Sequence, residues 1–393
     1  MAPIPRLRGY DGPALLSYGF RPFFLLGSIY AGLAVLAWVP MFHGQLEIIT
    51  AFTLRDWHVH EMLYGYLPAI ITGFLLTAVP NWTGRLPLQG KPLLALVLVW
   101  VAGRVVVTMS AWVGWAITAV VDVSFLLAVA ATVAREIIAG RNWRNLKVLI
   151  VLGVLLAGNL TFHLEAHVNG MVDFAIRVGV SATVMLVMLI GGRIIPSFTR
   201  NWLARENPGR LPSPFGRFDA ASIILAGAAL LAWCVAPDWT GAGALLLMTG
   251  LVQTLRLARW AGDRTWRDRL VLILHVTYAF VPVGFLLAGA ASLGWLPASA
   301  GVHAWTAGAF GGMTLAVMSR ASLGHTGRAL VASPETQVVY GLIVVAAVAR
   351  ICAVLEPKLS VALLDVAGFA WTAAFLGFAL VYWPVLTRPR LNA

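Results

Sequence analysis

Long apolar runs alternate with short polar connections along the whole chain. Each run has about the twenty residues needed to cross roughly 30 Å of hydrocarbon. The pattern predicts twelve membrane-spanning helices, at 22–42, 57–80, 91–109, 112–138, 146–166, 171–196, 218–236, 240–260, 268–291, 299–319, 336–355 and 360–386. Only Ser110 and Ala111 separate the third from the fourth. No polar stretch is long enough for a separate soluble domain, so 1–393 is expected to be a single all-α polytopic unit. Tryptophans such as Trp38, Trp57, Trp112, Trp202, Trp266 and Trp383 fall where runs begin or end, as rings at headgroup level do.

Composition agrees. With 60% hydrophobic and 11% charged residues, a soluble domain could not hide its apolar surface, whereas lipid tails can cover it. The net charge of +12 invites a nucleic-acid partner, but the arginines are scattered among short connections and not gathered on one face. Membrane lipid is the expected partner, and nucleic acid is not. Cys234 and Cys352 lie inside apolar runs without a CxxC partner and read as small core residues. Met1 to Ser17 is broken by prolines and glycines and is not expected to be a cleaved signal.

Charge also orients the chain. With both termini cytoplasmic, Arg85, Lys91, Arg135, Arg141, Arg144 and Lys147 fall in inner connections. So do the arginines at 193–217, 256–269, 320 and 328, and Arg6, Arg8, Arg21, Arg388 and Arg390 lie at the inner termini. All but five of the 28 basic residues are then on one side. Arg55 and Lys358 belong to outer connections. Arg104, Arg177 and Arg350 fall within spans, toward the outer half, where a charge either snorkels or meets an anion.

The histidines gather at the same depth. His43, His58, His60, His163, His167 and His303 all sit at outer ends of spans; His275 lies nearer the middle of the ninth, and His325 alone is on the inner side. Imidazole within a helical bundle is a ligand for haem iron or copper. His163 and His167 are spaced i,i+4 and share a helix face suited to a metal. His58 and His60 point in nearly opposite directions if both are helical, so they cannot serve one metal together.

A repeat links two of these helices. His60 precedes Thr83-Gly84-Arg85 by the same spacing with which His303 precedes Thr326-Gly327-Arg328, and RIIPSFTRNW (193–202) resembles AVPNWTGR (78–85) more loosely. Three four-helix repeats, roughly 18–138, 146–260 and 266–387, would explain this. The arrangement resembles the main subunit of haem–copper oxidases, in which the second, sixth and tenth helices carry metal ligands.

GFRPFF (19–24), WHVHEM (57–62), GFLLTAVPNWTGR (73–85), RIIPSFTRNWL (193–203), LHVTYAF (274–280) and MSRASLGHTGR (318–328) together resemble the NnrS family. The resemblance implies a multi-pass protein of the bacterial inner membrane, with haem b, copper as a second metal, and a role in nitric oxide tolerance and denitrification. On that basis His60 and His303 are first choices for axial haem ligands, with His58 and His275 also cofactor-binding candidates. Arg104, Arg177 and Arg350 would meet haem propionates. His58, His60, His163, His167 and His303 are the metal-ligand candidates. Glu61 and Asp122 are candidates for proton delivery or for ion pairs with the arginines. A quinol or a small redox protein would be the electron donor for an oxidoreductase resembling nitric oxide reductase. Against a full reductase, the chain has no adjacent His-His pair to complete a three-histidine copper site. A metal or haem transporter and an electron-transfer protein stay open as alternatives. On the inner side, His325, Arg320, Arg328, Arg85 and Arg193 form a basic rim that either meets lipid headgroups or binds an anion or redox partner.

Overall fold

Helix boundaries in the computed structural model, which describes residues 10–391, follow local chemistry. The Thr53 side chain accepts the Asp56 N–H at 3.1 Å and so opens the second helix. The Asp268 carboxylate accepts the N–H groups of Leu270 and Val271 at 2.9 and 3.2 Å. The Ser333 hydroxyl accepts from Thr336 at 3.3 Å, with Pro334 at the first helical position. Each satisfies amide donors that the first turn leaves unpaired.

The helices are α1 (Phe20–Phe42), α2 (Leu54–Thr83), α3 (Lys91–Thr108), α4 (Trp115–Ala139), α5 (Leu146–Asn169) and α6 (Phe174–Glu206), followed by α7 (Arg217–Val235), α8 (Thr240–Ala258), α9 (Arg269–Ser292), α10 (299–325), α11 (Pro334–Leu355) and α12 (Ser360–Thr387). No strand occurs among the described residues. Eleven of these helices are long and apolar enough to cross a membrane. The protein is an all-α, multi-pass membrane protein.

The exception is α10, expected as the tenth span. It is helical, but its Gly- and Ala-rich sequence carries His303, Arg320 and His325 and falls short of the apolarity of the others. Between α3 and α4 the chain turns through a single helical turn, Ser110–Val113. Arg6 and Arg8 lie outside the described residues.

Two helices change pitch. In α2 the backbone is π-helical over Glu61–Tyr66, and in α10 over Ala304–Gly311. Each π segment begins directly after one of the two repeated histidines, His60 and His303. The sequence repeat therefore extends to backbone conformation. Such segments are rare and tend to occur where a helix carries function.

The chain forms two compact units. Among the described residues the first holds those up to Gly179, with Ala321–Arg328 and those from Ala379; the second holds Val180–Arg320 and Ala329–Phe378. In the second unit the fully buried Trp305 packs against Trp233 and Phe285 and donates its indole N–H to the Val281 carbonyl at 3.1 Å. A buried Arg256–Asp219 pair at 3.1 Å joins α8 to α7. In the first unit α1 packs on α2, α2 and α3 pack on α4, and α4 packs on α5. These contacts enclose the site described next.

Candidate functional site

Five helices of the first unit bring ionisable side chains into one buried cluster. α2 supplies His60 and Glu61, α3 Arg104, α4 Asp122, α5 Asn159 and His163, and α1 Tyr30. His60, Glu61, Asp122, Asn159 and His163 are each no more than 2% exposed. So many polar groups can be buried together only if each finds a partner.

They do. Arg104 donates from Nη1 to both Glu61 oxygens at 2.7 Å and from Nη2 to Asp122. His60 Nδ1 lies 3.0 Å from Glu61 Oε1. Its Nε2 lies 3.2 Å from both Asn159 Oδ1 and Asp122 Oδ2. Asn159 Nδ2 donates to Asp122 Oδ2 at 2.8 Å, and His163 Nε2 stands 3.0 Å from the same oxygen. The Tyr30 hydroxyl donates to Glu61. Breaking one side of a buried ion pair typically costs about 3–5 kcal/mol, so the cluster is costly to disturb.

The π segment sets this geometry. Glu61 opens it, and Gly65 closes around the guanidinium: a Cβ there would lie 2.8 Å from Glu61 Oε2 and also overlap Arg104. The Gly65 carbonyl is met by the Trp100 indole N–H at 2.8 Å. Gly103, one position before Arg104, lets α4 approach so closely that a Cβ would sit 3.2 Å from Asp122 Oδ1. Around the imidazoles, Phe52 stacks on His60 at 5.4 Å and Phe162 meets it edge-on at 5.0 Å, covering the rings from water.

The donor set suits a metal ion. One ring nitrogen from each of His60 and His163 and one carboxylate oxygen of Asp122 all lie within 4.8 Å of one another. Two imidazoles and a carboxylate bind first-row transition metals. His60 Nδ1 on Glu61 supplies the outer hydrogen bond that anchors a ligating imidazole. At formal charges, two carboxylates against one guanidinium leave one negative charge in a low-dielectric interior. A bound cation or an imidazolium would neutralise it.

The same geometry does not suit haem at His60. Both ring nitrogens are engaged by side chains of its own unit, whereas axial ligation needs one of them to face an open, flat slot. His303, its expected partner, belongs to the second unit, where its helix start packs against α11.

The remaining sequence candidates take separate places. His58 stacks on Trp38 at 4.4 Å, on the other side of α2 from the cluster, as its spacing from His60 required. His167 does not join His163: it is exposed and stacks on Trp115 at 4.2 Å. His275 is buried in the second unit, with Nε2 2.8 Å from Thr199 Oγ1. Arg104, expected either at a propionate or in an ion pair with Glu61 or Asp122, pairs with both carboxylates. Arg177 lies in the first turn of α6, within electrostatic reach of Glu165, whose carboxylate caps that helix through three backbone N–H groups. Arg350 is half-buried on α11 and has no acid partner among the described residues. The basic rim divides between units. Arg85, paired with Glu136, lies in the first together with His325 and Arg328; Arg193 and Arg320, the latter over the Phe198 ring at 4.2 Å, lie in the second.

Two residues of the cluster were not among the expected ones. Asn159 precedes His163 by one helical turn and was legible as its partner on the same face of α5. Tyr30 carried no sequence signal.

Compared with known families, residues 14–390 match the family model described as NnrS protein. No curated protein matches the chain.

Proposed function

The chain belongs to the NnrS family, and from that premise we propose that it is a metal-binding membrane protein of the nitric oxide response, with His60, His163 and Asp122 holding a copper ion. The observation that carries this is the buried convergence of two imidazole nitrogens and a carboxylate oxygen, with a further carboxylate behind His60. Copper stands at the top of the affinity order for such nitrogen–oxygen sites. When bound there, it would supply the affinity for nitric oxide that capture needs.

The chain's own residues do the rest. Glu61 fixes the His60 ring by accepting from Nδ1, which leaves Nε2 as the ligand atom. Arg104 holds Glu61 and Asp122 apart and offsets their charge. Asn159 orients Asp122 through Oδ2. Phe52, Phe162 and Tyr64 surround His60 and limit water. Nitric oxide is small and apolar and can arrive through lipid, so no open cleft is required. Capture is the activity proposed; reduction would draw electrons from a quinol or a small redox protein. Haem b, which family resemblance implies, would draw its donors from the remaining candidates, among them His303 and His275, with Arg350 for a propionate. A position in the bacterial inner membrane with both termini cytoplasmic belongs to the same proposal and is supported by the distribution of basic residues.

The test is metal analysis and electron paramagnetic resonance of the purified protein, before and after nitric oxide. Copper near one per chain, with a signal altered by nitric oxide and lost in His163→Ala and Asp122→Asn, is expected. Metal content unchanged in both variants would remove the proposal.

A second function class has its own observation: every residue of the cluster already has a hydrogen-bond partner within it, with only Arg104 Nε left over. A proton-linked metal carrier would use the same residues, with an imidazolium as the neutralising charge. It would be isolated colourless and would move copper across vesicle membranes in response to a pH gradient.

A further inference from the structure

The turn that ends α10 lies apart from the metal cluster and carries a different chemistry. Thr326 Oγ1 donates back to the Ser322 carbonyl at 2.6 Å, Gly327 adopts a φ of +75°, and the Arg328 N–H reaches the Leu323 carbonyl at 3.0 Å. The chain beyond α12 straps this turn. Leu391 N–H donates to the Thr326 carbonyl at 3.0 Å, and a Cβ on Gly327 would lie 3.5 Å from Arg390 Nε. The start of α1 covers it from another direction: Tyr18 stacks on the His325 ring at 5.7 Å, Phe20 tilts against that ring at 5.7 Å, and the Arg21 guanidinium sits over Phe20 at 5.6 Å. Arg21, His325, Arg328 and Arg390 thus meet in the first unit from three separate segments.

A counter-charge is lacking. Arg21 donates from Nη1 to the Leu386 and Arg388 carbonyls at 2.9 and 2.7 Å, neutral acceptors at the end of α12. Arg328 lies within electrostatic reach of Arg21, so like charges face one another, and Arg390 lies within reach of the His325 ring. Among the described residues no carboxylate pairs with Arg21, Arg328 or Arg390, whereas Arg85, Arg104 and Arg256 each sit on one. Arg328 Nη1 is buried without a hydrogen-bond partner, and so is the Ser322 hydroxyl, two turns earlier in the chain. A snorkelling arginine would put its guanidinium nitrogens in water; here one is withdrawn from it with its donors unused.

The geometry points to a phosphate-binding site at this turn, with Arg328 and Arg390 as the ligating forks and Arg21 strengthening the field. Guanidinium forks match the oxygen spacing of a phosphate and bind it through charge-assisted hydrogen bonds. The place is the ends of α1, α10 and α12, where headgroups of an enclosing bilayer lie. An anionic phospholipid is therefore the first source of the phosphate, and inorganic phosphate the second.

The experiment uses the full chain, purified and delipidated in a neutral detergent, with thermal unfolding followed by tryptophan fluorescence. Phosphatidylglycerol should raise the unfolding temperature in a dose-dependent way, and phosphatidylcholine should raise it much less. Replacing Arg328 and Arg390 together by Gln should weaken the apparent affinity roughly tenfold or more, the loss expected for charged hydrogen bonds. Arg328→Lys should keep part of the effect, since it keeps charge but not the fork. If the double variant does not fold, the wild type answers alone: high salt should abolish the preference for phosphatidylglycerol. A response to inorganic phosphate that the double variant lacks would support the site with a soluble source. Equal responses to the two lipids, or an undiminished response in the double variant, would overturn it.

Discussion

His163 Nε2 stands 3.0 Å from Asp122 Oδ2 although 41 positions of sequence separate them. Two ligands each about 2.0–2.2 Å from a tetrahedral metal stand about 3.3 Å apart, close to this spacing and to the 3.2 Å between His60 Nε2 and the same oxygen. A hydrogen bond across either gap needs a proton on the nitrogen, and a metal needs its lone pair. Metal binding should therefore release protons. Copper affinity should rise with pH, and titration in weakly buffered solution should show acidification on metal addition. Affinity independent of pH would argue that these imidazoles are not the ligands.

Single histidine variants should divide by place. His60→Ala and His163→Ala should each lose most of the bound copper, measured by elemental analysis. His167→Ala and His58→Ala should keep it, because those rings stack on Trp115 and Trp38 away from Asp122.

Arginines within spans should divide as well. Arg104→Leu leaves two carboxylates without their cation, a loss of about 3–5 kcal/mol for a buried pair, and the protein should unfold at markedly lower temperature. Arg350→Leu breaks no ion pair among the described residues and should be neutral or mildly stabilising in metal-only protein. A lowered haem content in that variant would instead mark Arg350 as a propionate partner.

Gly65→Ala tests how closely α2 grips the ion pair. The added methyl overlaps Arg104 and meets Glu61 Oε2 at 2.8 Å, so the ion pair must shift as a unit and draw Glu61 Oε1 away from His60 Nδ1. The expected result is weaker metal binding with folding retained, seen as a raised dissociation constant. An unchanged constant would show that Glu61 does not anchor the ring.

Orientation is checked by reporter fusions. A fusion after Arg390 should be active only as a cytoplasmic reporter, and one within 165–170 only as a periplasmic one. The reverse pattern would place the His60–Asp122–His163 cluster at the opposite membrane face.

The apolar runs made most of the fold legible, because span length is fixed by the bilayer. The α10 helix blurred that signal, since its small residues are chosen for close packing: Gly308 and Gly312 lie against Phe280 and Thr277. Within the site, His60, Glu61, Asp122 and His163 were all legible as buried polar positions, but their grouping was not. For Arg104 the sequence leaves two readings, a propionate or an ion pair with Glu61 or Asp122, and the structure takes the second, since Asp122 lies at a similar depth on the next antiparallel helix. His163 was matched with His167 by spacing alone, while Asn159, equally spaced on its other side, is the residue that shares its partner. No local pattern marks a π segment, because it is set by what the helix packs against.

The two π segments also constrain what length the chain can tolerate. A π turn holds an extra residue within an otherwise α-helical rod. Deleting one residue within Glu61–Tyr66 lets α2 return to ordinary pitch with its two ends still in register, whereas deleting one from the regular part of α2 turns its far end by about 100°. His60 and the Thr83 end would then no longer address the neighbours they now do. An insertion there would turn that end the other way, so single-residue indels in the regular part of α2 should be less well tolerated than a deletion within Glu61–Tyr66.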